Sequence, residues 1–420
     1  MQKLEKNPTF FSLLDFANEA GHSLRILGIV NELAKSGVKP ILISNCINFD
    51  LFHRDVIHID ANIILQKHEK SSMMFFTSIF PTFLLRLYYR KIVKKIDVIF
   101  KNNDLKNDSV FFFETIDFCF GYLMVKNNII KNIFLDRPGI NTLEFDYKFK
   151  NANSLKVKIL SKIKMFIAIL LESIIVRNSS KIIVASAIMM NYYRKTFPKF
   201  KTVDYYNIPY YLASDQLKNK VDLQLKEKLI SKYNFKSTDT VILFVGNFKR
   251  TGGVPDLVKT FIKINKKNKN SKLLLIGAGY TYDECISLAN NSEVKGNIIF
   301  EKRIRYINLR TYQDLADIIV CPDRDNSFSR MIVHLKFWDA LSSNKIVLCS
   351  GFNPILEINK DEKLCVNFKP SSLKSLEEKL SYVFENRSSL LKKFSTNRNY
   401  VENNFTYSSI RINLLEIFNN

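Results

Sequence analysis

The second half of the chain alternates short apolar runs with segments of helical spacing, and this alternation is the strongest constraint on its fold. The apolar run 241–246 is followed by 254–265, where apolar residues recur every three or four positions. Short buried strands separated by helices of about ten residues indicate right-handed crossovers and a parallel sheet covered on both faces. The further predicted strands are 272–277, 297–300, 317–322 and 345–350, and the further predicted helices are 282–290, 309–316 and the segment around Asp339. The second half is therefore predicted to form a Rossmann-like domain.

The first half repeats this plan less regularly. Residues 23–37 have helical spacing, and the polar, charged stretch 206–239 is interpreted as the connection between two domains. Its predicted strands are 10–16, 39–44, 96–100, 110–114, 132–136 and 181–186. We therefore predict an α/β protein with two Rossmann-like, doubly wound parallel-sheet domains, 1–212 and 213–400, and a C-terminal helix in 401–420 that packs back on the first domain.

The net charge of the chain indicates which classes of molecule it is expected to bind. The 63 Lys and Arg residues exceed the 40 Asp and Glu residues, which gives a formal net charge of +23. Such an excess favours phosphorylated ligands, nucleic acid or an acidic membrane surface. Nucleic acid is not expected, because the aromatic residues lie in apolar runs rather than interleaved on a basic stacking surface. The six cysteines form no CxxC pair, and the N-terminus lacks the order of a signal peptide, so a cytoplasmic location is expected.

The turn after the first strand of the second half is the main candidate for binding an anion. In an open parallel sheet, ligands lie beyond the carboxyl ends of the strands, in the turns that follow them. The turn 246–256 offers glycines for close approach, two cations and the N-terminus of the next helix, a combination that favours a phosphate or diphosphate. The alternative is a glycine turn with solvated basic residues. The residues concerned are Gly246, Gly252 and Gly253 with Lys249 and Arg250.

Neighbouring strand ends add further candidates at the same edge. Gly277 and Gly279 end the next predicted strand and allow close approach of a ligand, or simply make a tight turn. Arg303 and Arg305 follow the strand after that, and face either phosphate or water. The acidic pair Asp323 and Asp325 would fit a divalent cation that bridges donor phosphates, but the basic turn already offers cations for them, so no metal is expected.

Asp339 is a carboxylate inside an apolar helical segment, between two predicted strands. A carboxylate in this position can accept hydrogen bonds from the vicinal hydroxyls of a ribose. The alternative is an exposed helix residue that pairs with a nearby lysine, and Lys336, on roughly the same side of the helix, is the candidate partner.

The first half offers weaker candidates for catalysis and acceptor binding. Gly21 and His22 follow the first predicted strand and are candidates to contact the transferred sugar. Asp136 and Arg137 end another strand, and Glu114 occupies a similar place. Each of these residues is alternatively an ordinary loop residue.

Two segments of the first half combine lysine or arginine with apolar residues. Residues 81–96 place Arg86, Arg90 and Lys94 on one helical stripe, and 154–176 join four lysines to an apolar continuation. Basic, amphipathic helices of this kind either pack on the sheet or lie in an interface rich in anionic lipid. The apolar stretches 71–85 and 165–176 are both shorter than the roughly 18 to 20 apolar residues that a bilayer crossing needs, so no spanning helix is predicted.

The chain from Val241 to about Glu357 resembles the donor-binding domain of the family 4 retaining glycosyltransferases with the GT-B fold. The motifs are VILFVGNFKRTGGVPDLVKTF, LLLIGAG, NIIFEKRIRYINLRTYQDLADIIVCPD and LKFWDALSSNKIVLCS. Residues 20–44 resemble the first glycine-containing turn and helix of that family, so the resemblance spans most of the chain. Three departures remove a side chain of the family: Asn247 and Gly252 replace its Arg and Lys, and Met331 replaces the first of two glutamates that are separated by seven residues. At the second glutamate position the sequence has the shorter Asp339.

The resemblance implies two domains that face each other across a cleft, with Asp339 at the place of the ribose-binding glutamate. The donor site is then expected to comprise Gly246, Asn247, Lys249, Arg250, Gly277, Arg303, Lys336 and Asp339. His22, Asp136 and Arg137 are the catalytic candidates, and Gly21 and Glu114 the acceptor-side candidates.

The expected function is transfer of a sugar from a nucleotide-sugar donor to a glycan or lipid-linked glycan acceptor, in bacterial surface polysaccharide synthesis. The reaction is expected to be retaining and independent of metals or other cofactors, at the inner face of the cell membrane and with an anionic membrane surface as a partner. The three departures favour an alternative, a non-catalytic GT-B homologue that serves as a membrane-associated or partner-binding subunit.

Overall fold

The chain forms two compact units. The computed structural model describes residues 7–13, 16, 21–44, 51–61, 93–105, 109–152, 154–198 and 203–419. The first unit comprises Met1–Tyr210 with Ile410–Asn420, and the second comprises Tyr211–Ser409. The division between Tyr210 and Tyr211 lies two residues before the predicted one, and residues 401–409 belong to the second unit.

The first unit is built on a seven-stranded sheet in which all strand pairs are parallel, in the order β3-β2-β1-β4-β5-β6-β7. The strands are β1 (Thr9–Ser12), β2 (Ile41–Ser44), β3 (Ile57–Asp60), β4 (Ser109–Phe113), β5 (Asn132–Arg137), β6 (Lys181–Val184) and β7 (Asp204–Asn207). The described helices with settled bounds are α1 (Gly21–Lys35), α2 (Glu114–Lys126), α3 (Asn141–Lys150), α4 (Leu155–Asn178) and α5 (Ala187–Thr196).

The second unit is built on a six-stranded parallel sheet in the order β10-β9-β8-β11-β12-β13. The strands are β8 (Thr240–Val245), β9 (Ser271–Ile276), β10 (Ile298–Glu301), β11 (Ile318–Cys321), β12 (Ile346–Ser350) and β13 (Val366–Phe368). The helices are α6 (Ser214–Leu217), α7 (Leu223–Tyr233), α8 (Val254–Lys267), α9 (Tyr282–Asn290), α10 (Leu309–Asp314), α11 (Leu335–Leu341), α12 (Asn353–Ile358), α13 (Leu373–Glu385), α14 (Arg387–Lys393) and α15 (Asn397–Asn404). Buried apolar clusters cover both faces of this sheet.

Both sheets change direction in the same way. In each sheet the chain first builds strands outward to one side and then returns to add strands on the other side, between β1 and β4 and between β8 and β11. Such a switch point leaves a crevice at the carboxyl edge of the strands. The prediction of two Rossmann-like, doubly wound parallel-sheet domains is confirmed.

The predicted strand 96–100 is wrong, because residues 93–102 are helical. The buried side chains are Val93, Ile96 and Phe100, whereas Val98 is exposed. Burial at spacings of three and four residues is the pattern of a helix that packs on one face. The run 96–100 taken alone resembles a strand, and the helical spacing becomes visible only when Val93 is included.

Three strands were missed in the sequence, and each is short or lies at an edge. β3 and β7 are the two edge strands of the first sheet, and in both the two central residues are half-buried and the two end residues exposed. β13 has only three residues. The predicted connection 206–239 also contains an ordered helix, α7, which ends at Asn234 in a left-handed conformation.

The last helix, α16 (Arg411–Asn419), completes the core of the first unit. The ring of Phe418 lies 4.5 Å from that of Phe111 and 5.3 Å from that of Phe10, centroid to centroid. Arg411 donates two hydrogen bonds to the buried carboxylate of Glu32 on α1. The first sheet is thus covered partly by residues that follow the second unit in the sequence.

A buried ion pair joins α1 to β5. The guanidinium of Arg25 donates to both oxygens of Asp136, at 2.7 and 2.9 Å, and both residues are almost fully buried. Arg25 also donates to the carbonyl of Pro209 at 2.8 Å and lies over the ring of Tyr210. This one side chain therefore holds together the helix, the sheet and the end of the first unit.

No helix in the described ranges is long and apolar enough to cross a membrane. Most of the predicted basic segment 81–96, including Arg86 and Arg90, lies outside the described residues. All but Ser154 of the other predicted segment, 154–176, lies in the 24-residue helix α4, whose second half buries Ala168, Leu171, Ile175 and Val176.

The ion pair of Arg25 and Asp136 gives a testable stability prediction. Asp136→Asn leaves the buried guanidinium without its counter-charge and should destabilise the protein by about 3 to 5 kcal/mol. Asp146→Asn, which removes the exposed Asp146–Lys150 pair, is the control and should change stability by less than about 1 kcal/mol. Urea unfolding followed by circular dichroism measures both changes. A normally stable Asp136→Asn protein that has lost activity would instead support the predicted catalytic role of Asp136.

Candidate functional site

Glycines let three backbone segments meet at the carboxyl edge of the second sheet. A Cβ atom at Gly277 would lie 1.9 Å from the carbonyl oxygen of Gly246, and one at Gly253 would lie 1.8 Å from that of Pro322. Gly253 also has a φ of 64°, which side chains disfavour. These glycines thus allow the turns after β8, β9 and β11 to approach one another. The predicted space for a ligand beside Gly277 is occupied by the backbone of Gly246.

Phe248 anchors the turn between β8 and α8. Its side chain is fully buried and makes edge contacts with the rings of Phe244 and Tyr282, at 5.6 and 5.0 Å between centroids. Its amide donates to the carbonyl of Ala278 at 3.0 Å, and its carbonyl accepts from the amide of Thr281 at 2.9 Å. This anchored turn presents Asn247 and Lys249 to solvent on either side of Phe248.

The predicted cations of this edge differ in their partners. Lys249 is exposed and forms no ion pair with a described residue. Arg303 is also exposed, and its Nη2 donates to Oδ1 of Asn247 at 3.0 Å. Arg250 donates to the hydroxyl of Tyr280 and lies 4.0 Å from the centre of that ring. Lys249 and Arg303 thus place positive charge beside Asn247, whereas Arg250 is directed toward Tyr280.

Lys336 lies at the switch point of the second sheet and pairs with Asp323. Its Nζ is 2.7 Å from Oδ1 of Asp323 and 5.6 Å from the centre of the Phe244 ring. The proposed alternative, in which Asp339 pairs with Lys336, is therefore wrong. His334 caps the same helix and lies near Ser329, and burial lowers the pKa of His334 to about 4, so that its ring is neutral at physiological pH.

The acidic residues after β11 have separate basic partners. Asp323 pairs with Lys336, and Asp325 accepts two hydrogen bonds from Arg330 at 2.7 and 2.6 Å. Within the described ranges, no group of three or more His, Cys, Asp or Glu residues could hold a metal ion.

Arg324, between these two acids, was not recognised in the sequence. It forms a bidentate pair with Asp256 in the first turn of α8, at 2.6 and 2.7 Å. The carboxylate of Asp256 and the guanidinium of Arg324 therefore lie beside the N-terminus of α8, where the sequence predicted a bound phosphate.

Asp339 lies on α11 and is partly buried, with a hydroxyl already bound to it. The hydroxyl of Tyr306 donates to Oδ1 of Asp339, and a cavity of about 20 Å³ lies beside the carboxylate. That volume holds about one water molecule rather than a pentose. Burial raises the pKa of Asp339 to about 7, and the hydrogen bond from Tyr306 opposes this rise. Oδ1 of Asp339 is therefore already occupied by the Tyr306 hydroxyl.

In the first unit, Asp136 and Arg137 are buried in contacts with other side chains. Both oxygens of Asp136 bind Arg25, as described above. Nη1 of Arg137 donates to Oγ1 of Thr115 at 2.6 Å, and Nη2 lies 3.8 Å from Oε1 of the buried Glu172. Burial raises the pKa of Glu172, and the positive charge of Arg137 opposes that rise. These contacts account for both residues as parts of the core, and their catalytic role stays a prediction.

The other first-unit candidates lie at the starts of helices. Gly21 and His22 begin α1, where Gly21 is exposed and the ring of His22 stacks on that of Tyr210 at 6.1 Å. Glu114 begins α2 directly after β4, and its side chain lies outside what the structure describes. Their predicted roles are likewise untested.

Comparison with known proteins supports a glycosyltransferase. Residues 226–401 match the family model described as glycosyl transferases group 1. No curated protein sequence matches the chain. The matched segment includes the strands β8 to β13 and the whole carboxyl edge described above.

Solved structures resemble the chain over nearly its full length. They include a sucrose-phosphate synthase from Thermosynechococcus elongatus (15% identity, TM-score 0.70) and a glycosyltransferase from Rickettsia africae (18%, 0.64). HepE of Anabaena, in complex with UDP-glucose, is a third (10%, 0.65). In each pair, 98% of both chains is covered. The chain has the GT-B fold. At these identities the likeness establishes the GT-B fold alone, and the group 1 match of the second unit indicates glycosyl transfer.

The raised pKa of Asp339 predicts how stability depends on pH. In the folded GT-B chain the carboxyl keeps its proton up to about pH 7, whereas its ordinary pKa is 3.8. The folded state therefore binds more protons between these values, and the free energy of unfolding falls as the pH rises through that range. Asp339→Asn lacks the titrating carboxyl and so does not lose stability in this way. The free energy of unfolding of the variant minus that of wild type should therefore be about 1 to 2 kcal/mol greater at pH 8 than at pH 5.

Urea unfolding at the two pH values measures the Asp339 effect. Asp283→Asn, on the exposed face of α9, is the control and should change stability equally at both pH values because its side chain lies in water. A pH-independent effect of Asp339→Asn would contradict the prediction.

Proposed function

We propose that the protein transfers a sugar from a nucleotide-sugar donor to a glycan or lipid-linked glycan, in bacterial surface polysaccharide synthesis. The observation that carries the proposal is the set of solvent-facing cations at the carboxyl edge of the second sheet, in the segment that matches group 1 glycosyl transferases. HepE, a structural neighbour, binds UDP-glucose, which supports a nucleotide-sugar donor.

In this proposal the donor diphosphate lies against the turn between β8 and α8. Lys249 and Arg303 offer positive charge there, and Arg250 joins them when it leaves the ring of Tyr280. As the bond from the sugar to the phosphate breaks, negative charge grows on the leaving diphosphate, so fixed cations stabilise the transition state as well as the bound donor. These cations neutralise the phosphates, and the proposed reaction therefore needs no metal ion.

The ribose of the donor binds to Asp339 in this proposal. A ribose hydroxyl is the same kind of donor as the phenol of Tyr306, so it can take the place of that hydroxyl on the carboxylate. Movement of Tyr306 would also open the small space beside Asp339. The proposed binding step therefore exchanges one hydrogen-bond donor for another and leaves the buried carboxylate satisfied.

The remaining parts of the proposal concern the acceptor, the stereochemistry and the location. Acceptor binding belongs to the first unit, retention of anomeric configuration follows the family resemblance, and the protein works in the cytoplasm at the inner face of the cell membrane. The basic composition supports a location at an anionic membrane surface.

A second candidate function is that of a non-catalytic subunit with the same fold. It is favoured by Asn247, Gly252 and Met331 at positions where the family has catalytic or binding side chains, and by the hydroxyl that occupies Asp339. Incubation with a panel of UDP-, GDP-, ADP- and CMP-sugars distinguishes the two candidates. Release of nucleotide from any donor supports the enzyme, whereas no release and no binding across the panel supports the subunit.

Removal of the cations should weaken donor binding. The double variant Lys249→Ala and Arg250→Ala should lower the affinity for the nucleotide sugar by roughly 10-fold or more, because each charged contact to phosphate contributes about 1 kcal/mol or more. Calorimetry or a thermal-shift titration measures the affinity. The control is Lys266→Ala with Lys267→Ala, at the opposite end of α8, which removes equal charge far from the turn. Equal affinities of the two double variants would refute the phosphate site.

The ribose contact can be tested by a double-mutant cycle. Wild type should lose affinity for a 2′,3′-dideoxy form of the nucleotide, because Asp339 then lacks its ribose donors. Asp339→Asn should bind the normal nucleotide more weakly and discriminate less between the two forms. Equal discrimination by both proteins would show that the ribose binds elsewhere.

A further inference from the structure

Helix α4 of the first unit carries a stripe of exposed apolar side chains. Its members recur at spacings of four, three and four residues, which places them on one face of the helix. They are Ile159, Ile163, Phe166 and Leu170, with exposed fractions of 54%, 50%, 64% and 44%. The opposite face is buried through residues that include Ala168, Leu171 and Ile175. This outward stripe is therefore distinct from the face that packs on the unit.

Lysines border the outward stripe on both flanks. Lys162 precedes Ile163 and Lys164 follows it, so the two lysines lie on opposite sides of the stripe. Their ammonium groups are 5.8 and 6.0 Å from the rings of Phe149 and Phe145 on α3, respectively. The sole acidic residue of α4 is Glu172, which is buried on the inner face. The outer surface of α4 is thus apolar at its centre and positive at its edges.

We propose that the outward stripe of α4 inserts into the interface of an anionic lipid bilayer. An interfacial helix buries apolar side chains at the level of the headgroups, while flanking lysines reach the lipid phosphates. A second copy of the chain fits less well, because a symmetric pair of these helices would bring lysine edges together without opposing carboxylates. The charge pattern therefore favours anionic lipid as the partner.

This surface deepens the membrane location in the proposed function and rests on that part of it. Vesicle binding is measured without any donor, and nucleotide binding without any lipid. A failure of one measurement therefore leaves the other intact. The variant Phe166→Glu should accordingly lose vesicle binding and keep the nucleotide affinity of wild type.

A tryptophan probe in the full chain tests the insertion directly. The chain has one tryptophan, Trp338, which is buried and gives a constant background. Emission from Phe166→Trp should shift to the blue and be quenched by brominated lipid in vesicles of phosphatidylcholine with phosphatidylglycerol, and not with phosphatidylcholine alone. The matched control is Leu223→Trp, at a residue of α7 that is 68% exposed, and its emission should not change.

Three outcomes of the probe experiment would overturn the proposal. An unchanged spectrum of Phe166→Trp on addition of anionic vesicles excludes insertion. Emission that is already blue-shifted without vesicles and depends on protein concentration identifies a second copy as the partner. Emission that is already blue-shifted without vesicles and does not depend on concentration shows that another part of the same chain covers the stripe.

The flanking charges give an independent measurement. Lys162→Gln with Lys164→Gln should weaken vesicle binding roughly 30-fold in a sedimentation assay, since each lysine near an anionic surface contributes about 1 kcal/mol. Lys392→Gln with Lys393→Gln, at the end of α14, is the control with equal loss of charge. Equal weakening by both pairs would show that net charge, and not this helix, governs the attraction, and would contradict the proposal.

Discussion

The second unit depends on the absence of side chains where its turns meet. With a Cβ at Gly253 or Gly277, a neighbouring carbonyl oxygen would lie less than 2 Å away, so the turns after β8, β9 and β11 could not approach as they do. Their contact fixes the backbone around Phe248, and this in turn fixes where Asn247 and Lys249 emerge. A rigid backbone therefore holds the cations, whose side chains remain free to follow a phosphate.

The candidate residues of the two units differ in their exposure. In the first unit, Asp136 accepts hydrogen bonds from Arg25 and Arg137 donates to Thr115, within the core. In the second, Lys249 and Arg303 carry charge at the surface. Asp339 lies between these extremes, because its carboxylate is partly enclosed, has a raised pKa and has one hydroxyl partner. The protonation of such a group depends on its hydroxyl partner, since burial raises the pKa of Asp339 and the hydrogen bond from Tyr306 lowers it.

The sequence was sufficient for the fold and much less so for the contacts. The apolar runs of the second unit coincide with β8 to β12, because strands with few exposed residues, most of them buried on both faces, leave an unbroken apolar signal. Edge strands such as β3 lack that signal, and 96–100 was misread because Val93 fell outside the run. Side-chain partners depend on distances between elements that no local pattern encodes. Asp256 and Arg324 are 68 residues apart, and Tyr306 and Asp339 are 33 apart.

The position of α16 has a consequence for how the protein is made. Phe418 lies among the phenylalanines of the first sheet, yet about 200 residues of the second unit are translated between that sheet and this helix. During translation, the apolar side chains of the first sheet that contact Phe418 therefore stay uncovered until the second unit and α16 have been synthesised. The order of synthesis thus makes the first unit the later of the two to reach its final packing.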